Sequence, residues 1–268
     1  MAHIICIAGQ KGGTGKTTTA INLAASLALH EKQTLLIDCD PQGSVTTGMG
    51  IDKQAPLKDL YHVMTGNASI LEVIVNSRLE FLKVIPARFK LIHIESKLVS
   101  IPGAEALLRH RLKPCLDRFD YIIIDTPASV GFLTVCALAA SGHVLIPFQY
   151  QVFSLEGLVQ LLVVVQKIRS KVNPHLRISG ILLTMCEIFQ SMRSQINDGL
   201  PANLGRAIYD TTIPFDKGLQ DSANMALPLA LMDMNAAGAR AYLKLSLEII
   251  RKMPPCPAPG RDFQAQSR

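Results

Sequence analysis

Apolar residues fall in short unbroken runs, separated by longer stretches in which they recur at helical spacing. Residues 3–8 form such a run, closed by Gly9, and predict a buried first strand. Further runs at 34–37, 81–85 (stopped by Pro86), 121–124, 144–146 (stopped by Pro147), 178–183 and 207–213 predict later strands. Between them, residues 16–30 carry Ile21, Ala24, Ala25 and Ala28 at helical spacing. Residues 104–115, 154–170 and 236–251 also read as helices. Apolar strands without polar alternation imply burial on both faces, and the intervening helices supply crossovers. The expected architecture is α/β, a doubly wound, mainly parallel sheet flanked by helices. Residues 1–253 are expected to form one domain. Pro254, Pro255, Pro257 and Pro259 cannot continue a helix, so residues 254–268 are expected to be a disordered tail.

Composition agrees with a large core. The 268 residues are 49% apolar and 18% charged, too apolar for a disordered chain. No apolar run approaches the roughly 18 residues of a membrane span. The first run leads into a Gly-rich loop with no charged region before it, which marks a strand and not a signal peptide. Cys6, Cys39, Cys115, Cys136, Cys186 and Cys256 form no CxxC pair. They read as small buried hydrophobes in a reducing compartment, so a cytoplasmic location is expected. The net charge of +6 is uneven. Residues 1–159 hold 14 Lys/Arg against 13 Asp/Glu, and residues 160–268 hold 13 against 8. Such a bias suits a polyanionic partner.

Between the first strand and the first helix lies Lys11-Gly12-Gly13-Thr14-Gly15-Lys16-Thr17-Thr18. Gly12, Gly13 and Gly15 would let the backbone curl so that successive N–H groups face phosphate oxygens, aided by the helix N-terminus. Lys16 would reach the β- and γ-phosphates of a nucleotide, and Thr17 would offer its hydroxyl to Mg²⁺. The strict P-loop pattern fails only at its first position, Gln10. Asp38 and Asp40 follow the second strand, where doubly wound sheets bind ligands. Asp125 ends the strand over 121–124 in the manner of a Walker B carboxylate.

The second lysine, Lys11, gives this loop a resemblance to the deviant Walker A box of the ParA/MinD family of P-loop NTPases. The likeness runs over residues 3–252 and is nearest to the ParA/Soj partition group. Its carriers include the segment from Asp38 to Gly43, the segment from Val144 to Gln149, the strand from Gly180 to Met185 and the helix around Gly238–Tyr242. The resemblance implies ATP and Mg²⁺ as cofactors, with Lys11, Lys16 and Asp40 as catalytic residues. Lys11 would contact the nucleotide of a partner subunit, and Asp40 would face the γ-phosphate and the attacking water. Thr17, Asp40 and Asp125 would surround the metal. Asp38 reads equally as a structural carboxylate or as an outer contact of the magnesium. Met185 and Pro214 would lie on the adenine side.

The resemblance further implies a homodimer when ATP is bound, non-specific DNA as a partner and a ParB-like protein that stimulates slow hydrolysis. One departure bears on DNA. Phe215 stands where the family often carries a basic residue. Arg193, Lys217, Arg240, Lys244 and Arg251 remain as candidates for a DNA-binding patch, with Arg206 and Lys252 beside them. A MinD-like membrane-surface role would need an apolar helical face after Met253, which the prolines deny. An iron–sulfur reductase would need a Gly-rich setting around Cys115 and Cys136 that is not present. Nothing in the chain marks the substrate pocket of a metabolic ligase of the same fold.

Overall fold

A computed structural model describes residues 1–55, 57–149, 154–186 and 207–255, with only the backbone of residues 154 and 155. Its centre is an eight-stranded sheet. The strands are β1 (His3–Ile7), β2 (Thr34–Asp38), β3 (Val75–Asn76), β4 (Leu82–Ile85), β5 (Tyr121–Asp125), β6 (His143–Phe148), β7 (Arg177–Cys186) and β8 (Ile213–Pro214). Their order is β3-β4-β2-β5-β1-β6-β7-β8, and every pairing is parallel except the short β3–β4 edge.

Successive residues of one strand enter opposite cores. Leu35 and Ile37 of β2 join one apolar cluster with Ile122 and Ile124, while Leu36 joins the other with Ile123, Ile5 and Ile7. That is why these runs show no polar alternation: both faces are covered. Helix α1 (Lys16–Leu29) and the last helix (Ala237–Lys252) pack together over the second cluster, with Leu23, Leu27, Tyr242, Leu245 and Ile249 buried. The helices Phe132–Ala140 and Ser154–Lys171 cover the first. Each such leucine or isoleucine withdrawn from water contributes roughly 1.5–3 kcal/mol.

Three expected elements differ. The strand expected to stop at Pro147 runs on to Phe148, and Pro147 pairs with Leu182 of β7. Past Leu145, β1 no longer pairs with β6, so a missing N–H can face an unpaired side. The strand expected over 207–213 is only a bridge at Ile208 and the two-residue β8. Between them the N–H groups of Asp210 and Thr211 donate to the Glu248 carboxylate, each at 3.0 Å, in place of a ladder. The helix expected over 104–115 is α-helical only at Leu107–Leu112, with 3₁₀ turns at Ala104–Ala106 and Lys113–Cys115. Pro114 lacks the N–H that an α-turn would return to His110. The proline-rich tail lies outside the described residues from 256 onward. Its first residue, Pro254, accepts a hydrogen bond from His3 Nε2 at 2.9 Å, and Met253 O accepts one from Tyr121 OH at 2.6 Å.

Candidate functional site

The C-terminal ends of β1, β2 and β5 converge at the start of α1. Gly13 and Gly15 of the connecting loop take φ of +78° and +84°, a region closed to most L-residues. Gly12 does not, and a Cβ there would meet nothing within 4 Å, so the curl of the loop rests on Gly13 and Gly15 and not on all three glycines. The loop is pinned from within and from the sheet. Lys16 Nζ donates to the Lys11 carbonyl at 3.0 Å, and Thr14 Oγ1 donates to the same oxygen at 3.3 Å. Thr184 at the end of β7 donates to the Thr14 carbonyl at 3.0 Å. Thr184 is a positioning residue that the sequence did not single out. A threonine ending an apolar run was the only signal.

The two lysines of the loop part company. Lys16 is buried, whereas Lys11 is exposed. Burial lowers the Lys16 pKa, and the carboxylates of Asp125 and Asp40 oppose that shift.

Strand register sets the acids. Asp38 of β2 stands opposite Asp125 of β5. Both are fully buried, and burial raises both carboxyls, Asp38 up to about 6 and Asp125 well above the usual range. Their mutual repulsion adds to the rise in Asp125. Asp38 is committed to structure. Its Oδ2 accepts from Thr46 N at 2.8 Å and Thr46 Oγ1 at 2.6 Å, and its Oδ1 accepts from Asp40 N at 3.2 Å. Thr46 Oγ1 also accepts from the Ala87 N–H at 2.9 Å, tying the Asp40 loop to the end of β4. Asp40 itself is partly exposed, and its Oδ1 accepts from Gln42 N at 2.9 Å.

Asp125 is different. Its Oδ2 accepts from Thr17 Oγ1 at 2.8 Å, while its Oδ1 is buried without a hydrogen-bond partner. A buried carboxylate oxygen left orphaned, next to a hydroxyl and a second acid, is a donor set suited to a hard divalent cation. The Thr17 hydroxyl and the orphaned Asp125 oxygen would fit magnesium, with the charge of Asp40 felt at Asp125 and Lys16.

Beside the loop opens a cavity of about 330 Å³ whose walls include Gly13, Gly15, Thr18, Met185, Pro214 and Tyr242. Met185 and Pro214, from different strands, both line it. Met185 takes φ +55°, rare for a non-glycine residue, and it lies where the register of β7 against β8 shifts between Thr184 and Cys186. Tyr242 also lines the cavity, and its hydroxyl lies 3.1 Å from Thr19 Oγ1. Phe215 also lines this cavity and is 67% exposed.

The candidate DNA contacts do not gather at one point. Lys217 opens the helix Lys217–Asn224 and lines the same cavity. Arg240, Lys244 and Arg251 are exposed and lie at helical spacing along one face of Ala237–Lys252, with exposed Leu247 in line. Lys252 instead pairs with Glu248 at 2.9 Å. Arg193 and Arg206 lie outside the described residues. Among the described residues, no helix is long and apolar enough to cross a membrane.

Comparison with known proteins gives this geometry a context. A protein-family profile described as an AAA domain matches residues 2–178. The chain is 38% identical over 255 residues to the chromosome partitioning protein ParA of Myxococcus xanthus, covering 95% of this chain and 90% of that protein. It is 39% identical over 249 residues to the sporulation initiation inhibitor protein Soj of Bacillus subtilis, covering 93% and 98%. Among solved structures, cobyrinic acid a,c-diamide synthase from Mycobacterium smegmatis with a bound ATP analogue and magnesium superposes with a TM-score of 0.77. The identity there is 27%, covering 96% of this chain and 100% of that one.

Proposed function

This chain belongs to the ParA/Soj family of P-loop ATPases, and from that premise we propose that it is a partition ATPase in which ATP switches a homodimer on and hydrolysis switches it off. The reading is carried by one observation: the phosphate loop buries Lys16 and exposes Lys11. A single buried lysine serves the phosphates of its own subunit. A second, five positions earlier and exposed, is suited to the phosphates of a facing subunit, where the triphosphate would screen the like charges from one another.

In this reading Gly12, Gly13, Thr14, Gly15, Lys16, Thr17 and Thr18 hold the phosphates, and Met185 and Pro214 enclose the adenine. Thr17 and Asp125 hold magnesium directly or through water. The cation supplies charge neutralisation at the β- and γ-phosphates. Asp40, partly exposed at the mouth, orients the attacking water, and Asp38 holds the Asp40 loop in place. Lys16 and Lys11 offset charge on the transferred phosphoryl group. The paired basic faces of the last helix, Arg240, Lys244 and Arg251 from each subunit, grip non-specific DNA phosphates. Dimerisation then multiplies a modest affinity. A ParB-like partner accelerates hydrolysis and releases the dimer from DNA.

The test is sedimentation with Mg·ATP beside DNA retention at two salt concentrations. The parent should dimerise with ATP and hold DNA in a salt-sensitive way. Lys11→Ala should bind ATP, stay monomeric and lose DNA retention. A Lys11→Ala protein that dimerises and holds DNA as the parent does would refute the switch.

A further inference from the structure

We propose that a second cavity, at the C-terminal end of β4, binds a nucleoside polyphosphate, and that its occupant competes with the Asp40 loop for Lys53. The cavity has a volume of about 510 Å³, within the range of small-molecule sites, and Lys53, Asp59, His62, Arg88, Phe89 and Lys90 are on its wall.

Its charge is positive and its geometry is fixed. The carboxylate on the wall, Asp59, is buried, with Oδ1 2.7 Å from His62 Nδ1 and Oδ2 accepting from Arg88 Nε at 2.8 Å. Arg88 also donates Nη1 to the Ala55 carbonyl at 3.1 Å and Nη2 to the Leu57 carbonyl. Three of its five N–H donors are used to lock the guanidinium, which leaves two for an anion. Lys90 is exposed, with its ammonium 4.9 Å from the Tyr61 ring centre. Among the described residues, neither Lys53 nor Lys90 pairs with a carboxylate. Three cations against one committed carboxylate select a multiply charged anion. A planar, pre-held guanidinium suits phosphate. Phe89, 62% exposed between Arg88 and Lys90 in sequence, adds an aromatic face on which a base can stack.

The cavity touches the loop that carries Asp40. Lys53 Nζ donates to the Gln42 carbonyl at 2.6 Å, two residues beyond Asp40. Lys53 also lines a separate cavity of about 400 Å³ that reaches Thr17 and Thr18. A phosphate competes well for an ammonium held only by a neutral carbonyl, because the charge-assisted bond is the stronger. Drawing Lys53 away would loosen the Asp40 loop, so occupancy would alter turnover at the first site.

The experiment uses the full chain with its phosphate loop saturated by Mg·ADP, titrated by calorimetry with inorganic tripolyphosphate and separately with uridine 5′-triphosphate. Both should bind saturably. Lys90→Glu should weaken both by about tenfold or more, as expected for a reversed charge at a phosphate contact. Phe89→Ala should weaken only the uridine nucleotide, by about threefold or more. Both substituted side chains are exposed, so folding is not at stake. No saturable binding, or binding indifferent to Lys90→Glu, would overturn the site. In a second arm, tripolyphosphate should change steady-state ATP turnover of the parent and not of Lys53→Met. An equal change in both would overturn the coupling. The calorimetric arm needs no hydrolysis, dimer or DNA, so its failure is distinguishable from failure of the partition reading.

Discussion

The hydroxyl of Thr17 donates to Asp125 Oδ2 at 2.8 Å, joining the first helix to the end of a strand 108 residues later. The other oxygen of Asp125 is buried and without a hydrogen-bond partner, which leaves it ready for a cation. Replacing the carboxylate by an amide removes a costly buried charge but also a metal contact. Asp125→Asn should therefore raise metal-free stability by about 1–3 kcal/mol and reduce magnesium-dependent turnover by roughly a hundredfold. Urea unfolding in EDTA and phosphate release in magnesium measure the two effects. A variant that is less stable without metal would show that the charge is already compensated.

In the proposed function Lys16 and Asp40 serve different steps. Lys16 is buried in the cradle, so Lys16→Ala should abolish ATP binding by calorimetry. Asp40 is partly exposed at the mouth, so Asp40→Ala should keep ATP affinity within about threefold and slow hydrolysis by roughly a hundredfold. Light scattering should then show an ATP-trapped dimer. Parental turnover in Asp40→Ala would remove that residue from the chemistry.

Asp38 gives a pH signature. Burial pushes its carboxyl up to about 6 from 3.8, against the bonds it accepts from Thr46 and Asp40. Between those values the folded chain keeps a proton that the unfolded chain has released. Its contribution to stability is therefore full at low pH, declines as pH rises from about 4 to about 6, and is flat above. Asp38→Asn keeps one acceptor oxygen for Thr46 but carries no titrating proton, and so has no such slope. The stability difference, parent minus variant, should fall by roughly 2–3 kcal/mol across that window in metal-free buffer. A difference constant from pH 4 to pH 7 would contradict the assignment.

Gly180 tests the packing behind the cavity. A Cβ there would lie 2.5 Å from Tyr209 Cε2 and 2.8 Å from the Ala207 carbonyl. Tyr209 is buried and its hydroxyl lies 2.8 Å from Ser179 Oγ, so the ring has nowhere to move. Gly180→Ala should cost about 1–3 kcal/mol in chemical denaturation. Unchanged stability would mean that the strand can slide past the ring.

The sequence alone determined most of the central strands, three of the long helices and the chemistry of the loop, because these are local; the two-residue β3 and the helix Phe132–Ala140 were not legible in it. Unbroken apolar runs such as Tyr121–Ile124 need only neighbours on both faces, and Lys11, Lys16 and Thr17 follow one another along one turn and one helix. Pairings between remote residues were decided by the fold. The strand order sets β2 beside β5, and only that register puts Asp38 opposite Asp125 and leaves one of them bonded by Thr46 and the other with an orphaned oxygen. Two aspartates at strand ends look alike in a sequence, whereas their roles depend on which distant donors reach them. The same holds for Glu248, whose carboxylate takes two backbone N–H groups and ends an apolar run that by itself reads as strand. Arg88 and Lys53 likewise share a cavity only because β4 lies next to β2, so that a lysine after the Asp40 loop meets an arginine from the next strand end.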